Sequence, residues 1–112
     1  MEQDGLNEMP KYMVLYHANP SAWPSDPKQL LTIWEGVAAG ADNHLKTGVL
    51  KEVGWFTNVD GYGIFEAESK DKVVEMVTPF FPLFSQEIHE IVPYEKGKEA
   101  ILAGARKAAG SR

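Results

Sequence analysis

Val49-Leu-Lys-Glu-Val-Gly-Trp-Phe-Thr57 and Tyr62-Gly-Ile-Phe-Glu-Ala67 are two alternating runs rich in branched and aromatic residues, separated by Asn58-Val-Asp-Gly61. The runs read as paired strands, and the four residues between them read as a turn with Gly61 available for positive φ. This hairpin decides the fold because a helical pattern and then a strand pattern flank it on each side.

Upstream, Asp26-Pro27 supplies an N-cap followed by proline at the first helical position, and Gly48 supplies a C-terminal cap. Between them Leu30, Trp34, Val37, Ala41 and His44 recur at helical spacing, as do Leu31, Trp34, Ala38, Ala41 and Leu45, so the expected apolar stripe is wide. Gly36 and Gly40 inside this helix point to close packing on a sheet. Before it, Lys11-Tyr-Met-Val-Leu-Tyr-His-Ala18 is a short apolar run ended by Asn19-Pro20, which fits a strand buried on both faces. Ser21 to Ser25 is a loop.

Downstream, Ser69 caps a short helix with Val73, Val74, Met76 and Val77 on its inner side, stopped by Pro79. Phe80-Phe-Pro-Leu83 is an apolar connection, and Phe84 to Tyr94 is a last strand with Phe84, Gln86, Ile88, Glu90 and Val92 on one face. Lys98 to Ala109 completes the chain as a helix.

The order strand, helix, strand, strand, helix, strand, helix, joined by right-handed crossovers, predicts an α+β, ferredoxin-like βαββαβ unit. Its sheet is four-stranded and antiparallel in the order 4-1-3-2, with both crossover helices on one face and an extra C-terminal helix. Because strand one is apolar on both sides, a second layer is expected on the open face, and a two-fold copy of the same chain is the economical one.

The chain has 112 residues, 44% of them hydrophobic and 24% charged, which suits one domain over residues 11–112 behind a polar, flexible leader at 1–10. It contains no cysteine, so thiol catalysis, iron-sulfur clusters and cysteine zinc sites are excluded. No apolar run reaches the roughly 18 residues that span a bilayer, and a cytoplasmic location without membrane contact is expected. The net charge of -5 is uneven, because Lys96, Lys98, Arg106, Lys107 and Arg112 make the tail basic. The body holds six lysines scattered among eleven carboxylates, which forms no clustered face for nucleic acid.

From Gly61 onward, Gly-Tyr-Gly-Ile-Phe-Glu-Ala-Glu-Ser, then Phe-Phe-Pro-Leu-Phe, then Glu-Ile-His-Glu-Ile-Val-Pro resembles the second half of small dimeric α+β barrel proteins. The likeness is greatest to muconolactone isomerase-type proteins and to small uncharacterised barrel families. What the resemblance implies is a homodimer of ferredoxin-like units, with chemistries ranging from isomerisation to cofactor-free oxygenation.

The predicted strand order gathers His17, Trp55, Tyr62 and Glu87 near one end of the sheet, with His89 one or two residue pairs further in. That places imidazoles beside aromatic side chains at the mouth of a cavity under the first helix. His17 and His89 are the candidate proton-moving residues, and Trp34, Trp55, Tyr62 and Glu87 the candidate substrate contacts. His44 is expected to cap the helix or complement its dipole. His89-Glu90 opens like a zinc-protease motif, but Pro93 stands where the second histidine would, so neither a metal nor another cofactor is expected. The expected function is binding of a small apolar or aromatic molecule by a homodimer, as isomerase or cofactor-free monooxygenase. The competing expectation is a non-catalytic dimeric interaction or regulatory module.

Overall fold

The computed structural model describes residues 9–110. Strand β1 (Lys11–Ala18) leads through a 3-10 turn (Pro20–Ala22) to helix α1 (Pro27–Thr47) and the hairpin β2 (Leu50–Trp55) and β3 (Gly61–Glu66). Helix α2 (Lys70–Val77), a 3-10 turn (Thr78–Phe80), β4 (Phe84–Ile91) and α3 (Tyr94–Gly110) follow. The four strands form one antiparallel sheet in the order β2-β3-β1-β4, the ferredoxin-like layout with an added C-terminal helix. The expected leader falls mostly outside the described residues, but the Pro10 carbonyl accepts a hydrogen bond from the Ala67 N–H at 3.1 Å, so order begins before β1.

Local chemistry places the ends of α1. The Asp26 side chain accepts from the Gln29 N–H, Pro27 takes the first turn, and Gly48 at φ 89° closes the helix by donating to the His44 and Leu45 carbonyls. Of the two overlapping stripes, only the one through Leu30, Trp34, Val37, Ala41 and His44 faces the sheet; Leu31 and Leu45 are exposed. A short sheet can cover only part of a helix's circumference, so the second stripe stays outside. Gly36 has nothing near its Cβ position, and the close neighbour of Gly40 is the Phe80 ring rather than the sheet. The expectation of sheet packing at both glycines is therefore corrected.

The core lies on the helix side of the sheet. Tyr12, Val14, Leu50, Phe65 and Ala67 point into it from strands or strand ends, and Val73 and Val77 from α2. Val74, expected on the inner side of α2, is 41% exposed, because only residues four apart on so short a helix share its buried line. Gln86 points the same way and donates from Nε2 to the Val77 carbonyl at 3.2 Å. The alternate residues of β1, Met13, Leu15 and His17, lie on the opposite face, where Met13 and Leu15 are only partly buried. Within a single chain, then, β1 is fully buried on one face rather than two.

The junction of the last strand with the C-terminal helix differs from the sequence reading. The last strand ends at Ile91, and α3 begins at Tyr94 with the Gly97 N–H donating to the Pro93 carbonyl at 2.9 Å. Proline lacks the N–H that a continuing strand would need and suits the approach to a helix. In the hairpin the residue at positive φ is Val59 (62°), not Gly61. Gly61 serves another need, since a Cβ there would sit 2.7 Å from the Gly54 carbonyl oxygen across the strand pair. Helix α3 contains no buried residue, and Tyr94 and Ile101 are 75% and 72% exposed.

Candidate functional site

Antiparallel pairing brings three distant segments to the His17 end of β1. Leu15 lies between Tyr62 on β3 and Glu87 on β4, Met13 between Ile64 and His89, and His17 opposite Ser85. Residues two apart on facing strands share a face, so His17 reaches Glu87 diagonally. Its Nε2 is 3.1 Å from Glu87 Oε1 and its Nδ1 is 3.3 Å from Asp60 Oδ2. The second oxygen of Glu87 stands 4.0 Å from His89 Nε2. His17, Asp60 and Glu87 are thus hydrogen-bonded to one another through the His17 ring, and His89 stands beside Glu87 beyond hydrogen-bond distance.

The charges support one another. Hydrogen bonding to Glu87 and then to Asp60 raises the pKa of His17 above the ordinary 6.5. The Ala18 N–H, donating to Asp60 at 2.9 Å, and then the bond to His17 hold the Asp60 carboxyl below its ordinary 3.8. Asp60 is positioned by its turn: its N–H donates to Asn58 Oδ1, and Phe56 N–H donates to its carbonyl at 2.7 Å. On the same face the Tyr62 phenol donates to the Glu52 carboxylate, which raises the pKa of that phenol, and the ring stacks on Phe56.

The aromatic residues divide between the two faces of the sheet. Trp55 lies on the helix side against Trp34, with ring centres 5.3 Å apart, and Trp34 meets Trp23 at 4.6 Å. Trp23 is fixed by its indole N–H, which donates to the Leu83 carbonyl at 2.9 Å. Beneath α1 an apolar pocket is lined by Tyr16, Val53, Trp55, Phe65 and Phe84 from the strands and by Val37, Ala41 and His44 from the helix. Its free space is about 50 Å³.

The sequence-expected residues therefore sit at one end of the sheet but on two faces. His17, Tyr62, Glu87 and His89 lie on the open face, and Trp34 and Trp55 on the helix face, so the expected cluster at the mouth of a cavity under α1 is corrected. Side chains alternate across a strand, and neighbours along the sheet end up on opposite sides. His89 is two pairs further in than Glu87, within the expected interval. The imidazole at the helix-side pocket is that of His44, whose ring meets the Phe65 ring edge-on at 6.0 Å. The His44 carbonyl receives the Gly48 cap.

Sequence reasoning left Asp60 among the turn residues and Tyr16 among the core residues. Asn58-Val-Asp-Gly61 carried the one available signal, since an Asx residue in a tight turn often binds nearby backbone, but nothing local says that it also reaches β1. No group of described residues has a metal-ligand arrangement, and no helix among them is long and apolar enough to cross a membrane. Neither a known family model nor a curated protein matches the chain.

Proposed function

We propose that the chain works as a homodimer that holds a small apolar or aromatic molecule between its sheet and its helices. The observation that carries this reading is the apolar pocket under α1, walled by aromatic rings that include Trp55, whose indole is 57% exposed. The resemblance to dimeric α+β barrels supports the assembly. So does the open sheet face, where Met13, Leu15 and Ile64 lie side by side and half-buried. A second copy laid on that face would remove those side chains from water.

The implied chemistry, isomerisation or cofactor-free oxygenation, needs a group that takes a proton and returns it. His17 and His89 are the residues proposed for it, with Glu87 between them. Because both imidazoles face the open side, their substrate would sit between two opposed sheets, a different place from the helix-side pocket.

A second reading, a non-catalytic interaction or regulatory module, draws on the packing of Trp34 against Trp23, Trp55 and Phe84, rings that meet one another where a ligand would lie. Native mass spectrometry of freshly purified protein separates the readings. A dimer carrying extra mass is the expected result, a bare dimer moves the balance to the second reading, and a monomer at micromolar concentration overturns the dimer itself.

A further inference from the structure

The apolar wall of the helix-side pocket is interrupted at two places, Tyr16 on β1 and His44 on α1. Neither side chain has a hydrogen-bond partner among the described residues, in contrast to His17, Asp60 and Glu87 at the strand ends. Burial pushes the Tyr16 phenol well above its ordinary pKa, and no bond offsets that loss of water. No buried polar side-chain atom among the described residues is sealed off without a partner, so the hydroxyl keeps an opening onto accessible space. A hydrocarbon that covers such a group strips it of water at a cost, whereas a ligand that supplies a hydrogen bond in place of the water avoids that cost.

We propose that Tyr16 and His44 are the polar contacts of this pocket and that they select a neutral hydroxylated aromatic molecule, a phenol or its enol-like tautomer, over a hydrocarbon of the same shape. The inference rests on the ligand-binding reading above and adds the chemical class of the ligand. A phenol donates and accepts and an imidazole bonds through its ring nitrogens, so a ligand hydroxyl can pair with either of them. The remaining walls, Val37, Leu50, Phe65 and Phe84 among them, carry no charge to pair with a carboxylate or phosphate.

The free space of about 50 Å³ admits water but not an aromatic ring, for which a cavity of about 150 Å³ is known to suffice. Entry therefore requires a wall to turn outward, and Phe80 is the wall placed to do so. It is half-buried at the end of the 3-10 turn, with its ring tip against Gly40, which has no side chain to hold it.

The test uses two near-isosteres, 4-ethylphenol and 4-ethyltoluene, titrated into the full chain and followed by NMR through the methyl groups of Val37, Leu50 and Val53. The phenol should bind about tenfold more tightly, and Tyr16→Phe or His44→Leu should bring the pair close to parity. Tyr16→Phe keeps the ring and its packing, which makes it the decisive variant if His44→Leu disturbs α1. Equal affinities in the unaltered protein, or a preference that survives both substitutions, would overturn selection by these residues while leaving the pocket reading in place. If neither compound shifts those methyl groups, the pocket reading fails and the inference fails with it.

Discussion

The Asp60 carboxylate holds His17 by its Nδ1 at 3.3 Å while binding the neighbouring Ala18 N–H at 2.9 Å, so a residue of the β2–β3 turn fixes both the side chain and the backbone at the end of β1. Glu87 on β4 takes the other imidazole nitrogen. One histidine thus joins three segments that are distant in sequence, and its charge state is tied to their geometry.

The pH dependence follows from the directions of the two shifts. His17 is raised above 6.5, so its contribution to stability is complete below that value and is lost as pH rises through the higher folded value. Asp60 is lowered below 3.8, so its contribution is complete above that value and is lost as pH falls through the lower folded one. Both contributions are present together between about 4 and 6.5. An NMR titration of the His17 ring should return a pKa above 6.5, with Glu87→Gln lowering it more than Asp60→Asn, since the Glu87 bond is the larger cause. A value unchanged by Glu87→Gln would show that the pair is not formed in solution.

Val59 holds φ at 62°, a conformation that costs an L-residue roughly 1–2 kcal/mol and suits a β-branched side chain least. Glycine removes that cost but gives back part of the gain through a freer unfolded chain. Val59→Gly should stabilise the fold by about 0.5–1 kcal/mol in urea unfolding, with the His17 titration unchanged. A loss of stability would mean that the Val59 side chain contributes packing that its 49% exposure does not reveal.

Two glycines of α1 offer a matched comparison. Gly36 is surrounded by open space, so Gly36→Ala should gain the helix preference of alanine, roughly 0.5–1 kcal/mol. At Gly40 an added Cβ would lie 2.9 Å from the tip of the Phe80 ring, and the ring must move to accommodate it. Gly40→Ala should therefore give little or no net gain in the same unfolding assay. Equal gains at both positions would show that the Phe80 ring is not held against α1.

Much of the fold was legible because it is written in short-range chemistry. Asp26, Pro27 and Gly48 mark α1 whatever the rest of the chain does, and β1 announces itself by branched and aromatic residues between Pro10 and Pro20. The strand order followed from the order of elements and the handedness of crossovers. The misplaced boundary at Pro93 came from extending an alternating pattern past a residue that cannot continue a ladder.

The candidate site was legible only as a neighbourhood. Topology by itself brought His17, Trp55, Tyr62 and Glu87 to one end of the sheet, because antiparallel pairing leaves those strand ends no other place to be. Which of them could act together depended on the pairing register, including the irregularity between Leu50 and Glu52 on β2, and on the turn that carries Asp60 across to β1. A strand presents alternate residues to opposite faces, so a shift of one residue in register exchanges the two sets completely. The elements and their order are properties of local sequence. The separation of the imidazole and carboxylate groups from the aromatic pocket arises only when the strands pair.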